Sequence, residues 1–176
     1  MIRLLIVFVC SINILFAQER SSLDQTSLKR SVLGKANLMA SAFKSGDYKT
    51  YVSYLHPILI SGVGGEAKMM GVLDKQMRQL KDKKVMINEI AFDTPTDILQ
   101  SKNEFQCTIS QHTVLKSVNS KAITYSTLIA ISVDKGKSWK FIDTSNMDAS
   151  MVRKLFPNLN SKIIIPPKQK PLVSTD

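Results

Sequence analysis

The stretch Met77-Arg78-Gln79-Leu80-Lys81-Asp82-Lys83-Lys84-Val85-Met86-Ile87-Asn88-Glu89-Ile90-Ala91-Phe92 changes its period in the middle. Up to Lys84, apolar residues recur every three to four positions, the spacing that puts them on one face of a helix. Beyond it they alternate every second position through Asp143, the spacing of strands. Helices first and strands second is an α+β plan, with helices covering one face of a curled antiparallel sheet in one domain.

Upstream, Met70, Leu73, Met77 and Leu80 share one face of a helix running to about Lys83, while Lys68, Lys75 and Arg78 fall on the other. Gly62, Gly64 and Gly65 precede it as a hinge or helix start. They are not a phosphate-cradling loop, because no Gly-Lys-Ser/Thr ending and no long preceding strand accompany them. A shorter helix presents Tyr48, Tyr51, Val52 and Leu55, capped by Asp47 and stopped at Pro57. Before it, Leu28, Val32, Ala36, Met39 and Phe43 make a helical face that begins at a Ser22/Gln25 capping box and ends at Gly46. Residues 18–22 read as a loose leader.

Downstream, Val85–Phe92 is apolar on both faces and is expected to be covered on both. Asp93–Asp97 is turn chemistry, and Ile98–Gln100 pairs with Glu104–Lys116 across Ser101-Lys102-Asn103. Lys121–Asp134 is the clearest strand, and Asp134-Lys135-Gly136-Lys137 turns it back into Ser138–Asp143. Asp148 caps a last short helix ending at Phe156-Pro157. Residues 159–176 read as a Pro/Lys-rich tail, flexible except where Ile163–Ile165 dock.

The N-terminus carries Arg3, an apolar run from Leu4 to Phe16 broken only by Ser11 and Asn13, and then Ala17. This pattern predicts a cleavable signal peptide over residues 1–17, and so a secreted or periplasmic domain over 18–158. The run falls short of the ~20 apolar residues a transmembrane helix needs, and no later segment could span a bilayer. Cys10 follows Val9 where a lipoprotein signal would have a small residue, so lipidation is not expected. Cleavage leaves Cys107 as the only thiol, with no internal disulfide to form; it reads as a small buried hydrophobe.

The net charge is +10. The lysines are scattered, arginine is sparse, and no aromatic residues interleave with them as stacking platforms. Nucleic acid is therefore not the expected partner. Cys107 and His112 are five positions apart and face opposite ways on a regular strand, so no metal is expected. Neither a nucleophile elbow nor a dinucleotide fingerprint occurs, and no cofactor is expected.

Polar residues intruding on the apolar stripes are the pocket candidates. The stripes are Phe105, Cys107, Ile109, Gln111, Thr113 and Leu115; Ile123, Tyr125, Thr127, Ile129, Ile131 and Val133; and Trp139, Phe141 and Asp143. Gln111, Tyr125 and Asp143 are the intruders. They either line a pocket with Trp139, Tyr51 and Met77, or lie near strand ends paired with backbone. His56, between a helix end and Pro57, is either a cap or the proton-transfer partner of Asp143.

The helix order and the closing block Gly136-Lys137-Ser138-Trp139-Lys140-Phe141-Ile142-Asp143 resemble the nuclear transport factor 2-like superfamily over about residues 22–145. The resemblance implies a cone: a strongly curved sheet wrapped around helices and open at one end. His56-Pro57, Gly64-Gly65 and the Gly136–Asp143 block also resemble those of uncharacterised exported bacterial proteins. SnoaL-like cyclases and steroid isomerases of this superfamily place an acid or a His-Asp pair inside the cone, where Asp143 and His56 would stand. The expected function is a non-catalytic binding domain for a small apolar or acidic, lipid-like ligand. The alternatives are a small cofactor-free isomerase or hydrolase using Asp143 and His56, or a dimerising interaction module of the envelope.

Overall fold

In the computed structural model, the backbone is described for residues 5–175 and the side chains for residues 25–175. The signal-peptide reading therefore concerns side chains outside that range. Five helices come in the order α1 (Leu5–Ser45), α2 (Tyr48–Tyr54), α3 (Pro57–Gly62), α4 (Glu66–Asp82) and, after most of the sheet, α5 (Ala149–Leu155). The strands are β1 (Met86–Phe92), β2 (Leu99–Ser101), β3 (Glu104–Lys116), β4 (Ser120–Ser132), β5 (Lys140–Asp143) and β6 (Leu172–Thr175). They form one curved, unclosed antiparallel sheet, so the chain is an α+β domain. Among the described residues, no helix is long and apolar enough to cross a membrane.

Glycine and capping chemistry set the helix boundaries. At Gly46 (φ 78°) α1 ends in a left-handed turn: Asp47 N–H reaches Ala42 O at 2.9 Å and Gly46 N–H reaches Phe43 O at 3.1 Å. Asp47 then caps α2 through Thr50 N–H at 3.1 Å. Pro57 occupies the first turn of α3, where its missing N–H costs nothing. Gly65 (φ 106°) opens α4. One expected boundary is absent: α1 passes through Ser22 without a break, and Gln25 bonds Ile98 instead of a helix start.

The β3–β4 hairpin, with strands of 13 residues each, is the spine. On the outer edge of β3 lie β2, against residues 104–106, and β1, against residues 111–116. On the outer edge of β4 lie β5, against residues 128–131, and β6, against residues 120–123. The inner face carries Cys107, Ile109, Leu128, Ala130 and Phe141 against Val32, Ala36, Met39 and Val52 of the helices. The outer face carries Ile129, Ile131 and Ile142 beneath Val152, Phe156, Leu159 and Ile163.

Two expectations are corrected here. β1 is an edge strand, and Met86 on it is 69% exposed, so it is not covered on both faces. A register shift between Ile87 and Glu89 inserts one extra residue. That bulge places Ile87, Ile90 and Phe92 opposite Leu115, Thr113 and Gln111, all on the inner face. The spacing that looked two-sided is one-sided with a bulge. The second correction concerns the tail: Ile163 docks as expected, but Leu159 is also a core residue, and β6 pairs with the edge of β4 that β5 is too short to cover.

Candidate functional site

The residues expected to line one receptacle do not share one. Trp139 is 2% exposed in the solid inner core, its indole N–H donating to Ser31 Oγ at 3.3 Å. Asp143 lies opposite Leu128 on the inner face and accepts from Ser145 N–H at 2.8 Å. Burial raises its pKa, and the bonds from Ser145 pull the other way. Tyr51 packs against Phe43, ring centres 5.0 Å apart, and its hydroxyl is held well above its usual pKa by burial, then by the charge of Asp143. Gln111 is also on the inner face, its amide donating to Ser126 Oγ at 3.3 Å.

Tyr125 is the correction. It pairs with His112 in the register, and both project from the outer face, away from Gln111 and Asp143. Apolar residues occupy both faces of β4, with Leu128 and Ala130 inward and Ile129 and Ile131 outward. Alternation alone could not tell which row faced the helices.

His56 and Asp143 do not form a proton-transfer pair. The Leu55–Phe141 bridge, with Leu55 in the inner core, turns His56 toward the outer layer, where its ring meets Phe156 edge-on at 5.0 Å. Its Nδ1 accepts the Ile58 N–H at 3.3 Å and caps α3. Burial lowers its pKa, with Glu104 opposing and Lys140 reinforcing. The ring serves as the cap of α3.

Of the expected lining, Met77 borders a groove of about 700 Å³ between α4, the start of β1 and the β3–β4 turn. Its apolar lining is Met77, Val85, Met86, Ile87 and Val118, and its basic lining is Lys44, Arg78, Lys81 and Lys84. Ile87 continues into an inner-face row across the sheet, Ile87–Leu115–Ala122–Val173, beyond the reach of the helical core. Arg78 is paired with Asp74 at 2.7 Å, and Lys44 Nζ donates to Asn88 O at 3.0 Å. Lys81 and Lys84 have no ion pair among the described residues. Lys84 sits at φ 55° in the left-handed turn that ends α4, fixed by Val85 N–H to Leu80 O at 2.9 Å. Both cations lie at the C-terminal end of α4, the helix's negative pole, and border the groove.

A second, smaller pocket of about 250 Å³ lies on the outer face. There His112 Nε2 meets Asp93 Oδ2 at 3.1 Å, and the Tyr125 ring stands edge-on to the imidazole at 5.0 Å. Asp93 arrives because its N–H continues the β1 ladder to Ser110 O at 3.0 Å. The sequence reading set His112 only against Cys107. The register confirms that those two face opposite ways, and it supplies Asp93 and Tyr125 as the neighbours the sequence did not assign.

Cys107 is inert: it is fully buried, and its thiol is pushed up to about 12 by burial. Among the described residues, no three His, Cys, Asp or Glu side chains converge to hold a metal ion. No family model, curated protein or solved structure matches this chain.

Proposed function

We propose that this chain is an exported, non-catalytic binding domain of the cone kind, and that it takes a small amphiphile with an anionic head in the groove beside α4. One observation carries the reading: an apolar lining of Met77, Val85, Met86, Ile87 and Val118 bordered by Lys44, Lys81 and Lys84, none of which has an ion pair among the described residues. An acyl chain against that lining gains about 25 cal/mol for each Å² of apolar surface it hides. A carboxylate or phosphate at its end meets Lys81 and Lys84. The separation of His56 from Asp143 removes support from the hydrolase or isomerase alternative.

The test is fluorescence displacement and thermal shift with dodecanoate and dodecanol, which share a chain and differ in head charge. Dodecanoate is expected to bind and to raise the melting temperature, with dodecanol weaker. The Lys81→Glu/Lys84→Glu variant should lose about tenfold in dodecanoate affinity, about 1.4 kcal/mol. Equal binding of acid and alcohol, or binding untouched by the charge reversal, would refute the assignment of the head. Sedimentation as a dimer that excludes dodecanoate would give the groove to a second copy instead.

A further inference from the structure

We infer that the outer-face pocket is a separate binding site for a neutral, hydroxyl-rich single ring, the chemistry of a monosaccharide unit. Four side chains form a two-by-two patch fixed by strand register: Ser110 opposite Thr127, and His112 opposite Tyr125. The hydroxyls of Ser110, Tyr125 and Thr127 border the pocket and have no hydrogen-bond partner among the described residues. Hydroxyls both donate and accept, which matches a ligand whose own groups do the same.

Asp93 adds a carboxylate already oriented by His112. Nε2 of the imidazole engages Oδ2, leaving Oδ1 as an acceptor for a ligand hydroxyl. Asp93 is the only carboxylate on the wall and Lys168 the only ammonium, so the lining carries no excess of either sign to select a charged ligand. Ser126, Thr144, Ser145 and Gln169 add further polar groups to the wall, and Met147, Pro166 and Pro167 form its apolar part, a surface for the C–H side of a ring. At about 250 Å³ the pocket falls below the ~300–1,000 Å³ of drug-sized sites, which limits the occupant to one ring. The site is distinct from the groove in face, lining and charge, and does not depend on it.

The test is saturation-transfer NMR and calorimetry on the full chain with glucose, glucuronate and tetrahydropyran. Glucose is expected to bind with a Kd near ~1 mM, as suits a few solvent-facing hydrogen bonds. Tetrahydropyran, a ring without hydroxyls, should give no binding, and glucuronate should bind no tighter than glucose. Tyr125→Phe and Thr127→Val each remove one hydroxyl with little change of shape. Each should weaken glucose about fivefold, with the melting temperature unchanged. Lys84→Glu in the groove should leave glucose binding as it was. Absence of transfer to glucose, preference for glucuronate, binding that survives the loss of both hydroxyls, or loss on Lys84→Glu would each overturn the assignment.

Discussion

Gln25 and Ile98, 73 residues apart, are joined by two hydrogen bonds: Gln25 Oε1 accepts the Ile98 N–H at 2.9 Å, and Nε2 donates to Ile98 O at 3.1 Å. The side-chain amide acts as a strand partner for a single residue ahead of β2. It ties α1 to the sheet where Ile98 is itself buried. Gln25→Ala leaves a buried N–H and C=O unpaired and is expected to cost about 1–3 kcal/mol in urea denaturation. The neighbouring Lys29–Asp97 pair, with Asp97 82% exposed, is expected to contribute under ~1 kcal/mol when Lys29→Ala is measured alongside.

Gly136 in the β4–β5 turn has φ 85°, and a Cβ there would overlap Leu28 Cδ2 of α1. Gly136→Ala therefore meets both a strained backbone and a closed space, and should destabilise by more than ~2 kcal/mol. Leu28→Ala in the same chain opens the space but not the dihedral, so the double variant should lose less than the two single losses added together. Additive losses in a double-mutant cycle would show that the two residues do not meet.

The sign of the Asp143 effect follows from its raised pKa. The folded chain holds that proton more tightly than the unfolded one. Its ionisation therefore costs stability as pH climbs from the ordinary value of 3.8 through the folded value, and the loss persists above it. Asp143→Asn keeps an acceptor for Ser145 and removes the charge. It should be the more stable protein at neutral pH, with the gap closing in acid below the ordinary value. Urea midpoints at neutral and acidic pH read this directly; an Asn variant weaker at neutral pH would mean that the Ser145 bonds outweigh burial.

Lys84 holds a left-handed dihedral that glycine adopts freely. Lys84→Gly should stabilise the fold by about 0.5–1 kcal/mol while weakening dodecanoate binding, because the same change relaxes the turn and removes a rim cation. Thermal denaturation with and without ligand separates the two effects. A parallel fall in both would assign the residue a structural role alone.

The element order was legible because capping and turn chemistry are local: Asp47, Gly46, Gly65, Asp148 and the Asp134–Lys137 turn act where they stand. What escaped is non-local. Ile87 and Ile90 reach one face only through a bulge, which depends on pairing with Leu115 and Thr113. The facing of Tyr125 depends on which of two apolar rows of β4 meets the helices, and both rows are buried at the far end of the strand, Leu128–Ile131. The His112–Asp93 contact spans 19 residues and exists only once β1 has paired with β3. Met77 was assigned to its face by periodicity, but the cations around it come from α1, α4 and the turn after α4, which no single window contains.

Residues Leu128–Ile131 of β4 are all buried, with a core on each side and a strand on each edge, whereas Ser120–Thr127 is nowhere fully covered. Amide hydrogens in the first segment can exchange with deuterium only by global unfolding, while those in the second escape through local openings. One strand therefore joins an anchored half to a breathing half. The outer pocket borders the breathing half through Tyr125, Ser126 and Thr127, so its occupant should slow deuterium uptake there directly, while the anchored segment slows only as far as the ligand raises the global stability.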